Sequence, residues 1–110
     1  PETNDMKKTP PPKTYHNLKE KHPDFIAAVE ALGKTVHEKG PIAEKTSQLI
    51  QLAAAVAIRS EGATHSHTRR ALAAGADADE IYHTLMLLTS TIGFPTVVAG
   101  LTWVDDIIKK

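Results

Sequence analysis

The chain has 110 residues, 41% hydrophobic and 24% charged, with 13 Lys plus Arg against 13 Asp plus Glu and no cysteine. A chain of this length makes one domain, and its zero net charge excludes an electrostatic nucleic-acid or anionic-membrane binder, which needs a clustered basic excess. The missing cysteines exclude disulfides, thiolate metal sites and thiol redox chemistry, and no apolar run approaches the ~18 residues of a membrane span.

Residues 1 to about 14 are polar and carry Pro10-Pro11-Pro12. Successive prolines favour extended polyproline II and donate no backbone hydrogen bonds. The segment is expected to be an extended N-terminal arm, either disordered or laid on a neighbouring subunit. It contains no apolar signal core, and a cytoplasmic location is expected.

The first helical pattern opens at His22-Pro23-Asp24, where proline suits the first turn. Phe25, Val29, Leu32 and Val36 follow at i, i+4, i+7 and i+11 on one helix face, and Gly40-Pro41 ends it. A second helix is expected over Glu44 to Ser60. From Leu49 to Ile58 it is apolar nearly all round, the pattern of a helix buried on every side. So short a chain rarely buries a helix in that way alone, so this one reads as the central helix of an oligomer.

Glu61-Gly62 is an expected break. A third helix runs from about Ala63 to Ala74, closed by Gly75. Asp77 with Glu80 forms a capping-box start to a helix whose Ile81, Leu85, Leu88 and Ile92 keep the spacing to Gly93. Phe94-Pro95 opens the last helix, with Val97, Leu101, Val104 and Ile108 on one face. No period-2 stretch is bounded by turn signals. The expected fold is all-α, with roughly five or six helices in one domain over residues 15–110. Aromatics are few, so the core rests on Ala, Leu, Ile and Val, and extra burial between subunits would help it.

The most distinctive stretch is Ile58 to Ala76. It holds a His-x-Arg-x-Ala-Leu-x-x-Gly-Ala run, His67 to Ala76, followed by Asp79-Glu80-Ile81. This run resembles the carboxymuconolactone decarboxylase / AhpD-like alkylhydroperoxidase family. Gly40-Pro41-Ile42 and Glu44-Lys45-Thr46 are similar to that family's lead-in, and Gly93-Phe94-Pro95 to a Gly-x-Pro of its decarboxylase branch. The likeness covers roughly residues 23–108. It implies an AhpD-like helical bundle, assembled as a homo-oligomer, either a trimer or a hexamer.

The redox branch of that family carries a Glu, a Cys-x-x-Cys pair beginning twelve residues later, and a His four residues after the second Cys. Gln48, Ser60, Ala63 and His67 occupy those places here. Peroxide reduction needs a thiolate nucleophile and a resolving thiol; a serine hydroxyl and a methyl group supply neither. The decarboxylase branch lacks the cysteines and has a Glu six residues before the His, here Glu61 before His67, with Arg69 after it. Loss of carbon dioxide needs an acid to protonate the developing enolate, for which an imidazole suits, and a cation to hold the carboxylate, for which arginine suits.

The resemblance therefore makes His67, Glu61 and Arg69 the candidate catalytic residues, with Gln48, Ser60, Ala63 and Thr64 lining a binding site. Gln48, Glu61 or a residue of a neighbouring subunit is the candidate partner for the His67 ring. The same residues have plainer readings. Glu61, His65 and Arg69, at i, i+4 and i+8, make a solvated stripe with weak ion pairs, and Ser60 caps a helix.

His65, His67, His83 and Glu61 offer metal-ligand types, but His65 and His67 lie about 200° apart on a helix and cannot easily share an ion. His16, His22 and His37 have no ligand spacing, and no cofactor or metal is expected. Nothing resembles a phosphate loop or a nucleophile elbow. Two functions compete: cofactor-free acid–base chemistry on a small acidic ring compound through His67, and a non-catalytic oligomeric binding or assembly protein.

Overall fold

A computed structural model describes residues 13–110. The arm expected over 1–14 lies outside the described residues except for Lys13 and Thr14, which already belong to a helix. Among the described residues there are six helices of nine residues or more, one single turn of helix and no strand. They are α1 (Lys13–Lys21), α2 (Pro23–His37), α3 (Glu44–Ala57), α4 (Glu61–Ala73), α5 (Ala78–Met86), α6 (Thr89–Ile92) and α7 (Phe94–Ile108). None of these is long and apolar enough to cross a membrane. The chain divides into two units between Ile42 and Ala43.

In the first unit, α1 is a helix that apolar periodicity does not announce. Its sequence is polar and it buries no residue. Side chains tie it to α2: the Tyr15 hydroxyl donates to the Glu30 carboxylate, and Lys19 Nζ lies 3.7 Å from Glu30 Oε2. In α2 the spaced apolar residues share a face as expected, but Phe25, Val29, Leu32 and Val36 are all exposed and Ile26 is the buried residue.

The second unit, Ala43–Lys110, holds a core of Leu52, Val56, Ala71, Ala76, Ile81, Leu85, Val97 and Val104. α3 packs chiefly on α4, and α4 and α5 both pack on α7. α3 and α4 are joined by only three residues. Arg59 N–H donates to Val56 O (2.9 Å) and Ser60 N–H to Ala55 O (3.0 Å), the paired bonds of a Schellman motif. Its left-handed position is filled by Arg59 at φ 57 rather than by glycine. The same motif ends α4 with Gly75 at φ 101, where Gly75 N–H donates to Leu72 O (3.1 Å) and Ala76 N–H to Ala71 O (2.9 Å).

Asp77 and Glu80 form the expected capping box at the start of α5. Lys45 Nζ reaches Glu80 Oε2 at 3.0 Å and ties α3 to α5. That contact, together with the Asp77 backbone N–H, holds the Glu80 carboxyl below its ordinary value. The apolar spacing from Ile81 to Ile92 is not one helix. α5 stops at Met86, the Thr89 hydroxyl takes the Met86 carbonyl at 2.8 Å, and a single turn follows. The Leu49–Ile58 segment is likewise not enclosed within one chain: Leu52, Ala55 and Val56 are buried, whereas Ile50 and Ile58 are 52% and 74% exposed.

Candidate functional site

Gln48 is the buried polar residue of α3, 2% exposed. It sits one helical turn after Glu44, which lies in the first turn of α3, and the i, i+4 spacing puts both on one face. Gln48 Nε2 donates to Glu44 Oε2 at 2.7 Å. On the other side of the amide, Gln48 Oε1 lies 2.8 Å from His67 Nδ1 on α4. The donor inventory fixes the directions. A carboxylate only accepts, so the amide nitrogen faces Glu44. The amide oxygen also only accepts, so His67 Nδ1 carries a proton. In its neutral form His67 therefore has its lone pair on Nε2.

The short link positions this pair. Ser60 caps α4 by accepting from Ala63 N–H at 3.2 Å, which is the plainer of its two readings. The Thr64 hydroxyl donates to Ser60 O at 2.8 Å, and the Thr68 hydroxyl to Thr64 O at 2.7 Å. Both threonines are fully buried. Ser60, Ala63 and Thr64 thus shape the first turn of α4 and set the direction from which His67, one turn on, meets Gln48.

The other sequence candidates gather elsewhere. At 100° per residue, His65 and Arg69 each lie about 200° around α4 from His67. Glu61 joins them on that second face: its Oε2 lies 3.9 Å from His65 Nε2. His65 Nε2 donates to Asp106 Oδ2 of α7 at 2.9 Å. Of the candidate partners, then, Gln48 meets His67 and Glu61 meets His65. Burial, and next the charge of Arg70, lower the Arg69 guanidinium from its ordinary value.

Sequence reasoning did not single out Glu44 behind Gln48 as a site residue, although the i, i+4 spacing is a visible signal. Asp106 carries no such signal, because it joins His65 across 41 positions. Its neighbour Asp105 is engaged differently: the Tyr82 hydroxyl donates to it at 2.6 Å, and Lys109 lies 3.4 Å away. The bond to Asp105 pushes the Tyr82 phenol up to about 12.

In comparison with known proteins, a model of the carboxymuconolactone decarboxylase family matches residues 23–106. No curated protein and no solved structure matches the chain.

Proposed function

The chain belongs to the carboxymuconolactone decarboxylase family, and within it we propose a cysteine-less acid–base protein that acts on a small acidic ring compound through His67. The observation that carries this reading is the chain of hydrogen bonds from Glu44 through Gln48 to His67. An acid losing carbon dioxide breaks its C–C bond and leaves the electron pair delocalised as an enolate, which then takes up a proton. Imidazolium His67 would deliver that proton from Nε2 while Nδ1–H stays on Gln48. Neutral His67 would take it back from solvent or from the next substrate. Glu44 acts here as a positioning residue: it holds the amide nitrogen, so that Gln48 offers oxygen and not nitrogen to the ring. A cytoplasmic location belongs to the same proposal, in keeping with a small-molecule acid as substrate.

The test pairs ring spectroscopy with ligand chemistry. In the wild type, nitrogen shifts of the His67 ring should report the Nδ1–H tautomer, and Gln48→Leu should mix the tautomers. In a thermal-shift and carbon-dioxide-release screen of lactone acids and keto acids, His67→Ala should lose any binding or turnover that the wild type shows. The same variant should keep its helical spectrum, since Ala is a strong helix former. Binding and release unchanged in His67→Ala would sink the acid–base reading. With an organic hydroperoxide and a dithiol, the wild type should show no turnover above buffer.

Assembly is the second reading, and a separate observation favours it. Ile50, Ile58, Met86, Leu87, Phe94 and Val98 are exposed in the single chain, as is the apolar face of α2. Large exposed apolar patches mark interaction surfaces. We propose that copies of the chain cover these residues, as a trimer or a hexamer, with an obligate-type interface above roughly 2,000 Å². Light scattering should report such a species at micromolar concentration; a monomer there contradicts it.

A further inference from the structure

The second face of α4 holds a convergence of ligand types that the proposed acid–base site does not use. Glu61 opens α4, His65 lies one turn on, and Asp106 comes from the last turn of α7. One ligand atom from each lies within 4.8 Å of the other two. The His65 imidazole is 24% exposed and points its Nε2 at both carboxylates, 2.9 Å from Asp106 Oδ2 and 3.9 Å from Glu61 Oε2. From these contacts we propose that Glu61, His65 and Asp106 bind a divalent first-row transition ion of the zinc type.

Three physical features support the assignment. The first is the donor set. One imidazole nitrogen with two carboxylate oxygens suits zinc-like ions; calcium and magnesium favour all-oxygen shells. The second is spacing. Bonds of about 2.0–2.1 Å in a tetrahedral shell place ligand atoms about 3.3 Å apart, and the observed separations bracket that value. Both carboxylates are exposed side chains with freedom to close the remaining gap. The third is the surroundings. An open depression beside the trio is lined by His65, Asp105, Asp106, Lys109 and Lys110, which leaves further coordination positions to water or to an exogenous ligand.

Charge is consistent as well. With a neutral imidazole the trio carries two negative charges, which a divalent ion would neutralise. Asp105 does not compete for the ion, being engaged by Tyr82 and Lys109. Lys109 itself is paired with Asp105, and Lys110 is the other cation at the depression. On binding, the ion takes the place of the proton that Nε2 now shares with Asp106.

The experiment is calorimetric titration of the full chain with zinc chloride in a non-coordinating buffer, alongside His65→Ala, Asp106→Asn and, as a control histidine, His83→Ala. Circular dichroism confirms that each variant is folded; Asp106→Asn, which preserves side-chain shape, serves if His65→Ala does not fold. The expected result is one ion per chain in the wild type and in His83→Ala. Affinity should fall by about 100-fold where a ligand is removed, more than most changes to groups behind the ligands. Zinc should raise the thermal midpoint of the wild type and not that of the His65 or Asp106 variant. Equal affinity in the wild type and both ligand variants, or no saturable binding in the wild type, overturns the site.

Discussion

Gly100→Ala should lower the stability of the protein by up to about 2 kcal/mol, against the usual direction of a glycine-to-alanine change in a helix. Ala is the better helix former by about 1 kcal/mol. A Cβ at Gly100, however, would stand 2.7 Å from Val56 Cγ1, 3.0 Å from Val56 Cγ2 and 3.1 Å from Leu85 Cδ2. Val56 cannot swing aside, since a β-branched side chain in a helix has one strongly preferred rotamer and this one is fully buried. Overpacking of this kind costs about 1–3 kcal/mol, so it outweighs the propensity gain at most of that range. In a domain of this size the thermal midpoint should drop by several degrees, about 4–8 °C per kcal/mol. Urea unfolding at one fixed protein concentration is the check. A midpoint at or above the wild type's would mean that α3 and α7 do not approach so closely.

Leu85→Ala should cost more, about 2–5 kcal/mol. Leu85 is fully buried in the core, and it is one of the two side chains against Gly100. Removing it opens a cavity that the surrounding helices can only partly collapse into. The two changes should couple. In the double variant the methyl group added at Gly100 gains the space of the lost isopropyl group but still meets Val56, so the combined loss should be smaller than the sum by about 0.5–1 kcal/mol. Strict additivity in the same urea series would count against the contact.

The parts of the fold legible in the sequence are those whose signals are local. Proline at the start of α2 and α7, the Asp77–Glu80 box and Gly75 after α4 all act within one turn of the chain, and the structure has them in those roles. α1 was not legible, because it buries nothing and depends on two side chains reaching Glu30. The stop after Met86 was hidden beneath apolar spacing that runs straight through it, where Leu88 N–H turns to the Leu85 carbonyl only three residues back.

The candidate site divides in the same way. The nearness of Gln48 and His67 could be read from motif spacing, since one short link joins their helices. The meeting of His65 with Asp106 could not. Two aspartates stand side by side there, and Tyr82 and Lys109 decide which of them remains to turn to His65. The exposure of the α2 face has a different origin. Periodicity tells which residues share a side of a helix, not whether another surface of the same chain covers it.

The three-residue link also bears on the order in which the molecule assembles. Ser60 closes α3 with its backbone and opens α4 with its hydroxyl, so these two helices can zip together with almost no loop to close. Short closures are fast and long-range ones slow. The Gln48–His67 bond spans 19 positions and the His65–Asp106 bond 41. In refolding, the bond from His67 to Gln48 should therefore form before the one from His65 to Asp106. The second face of α4 is complete only when α7 docks and brings Asp106 to His65.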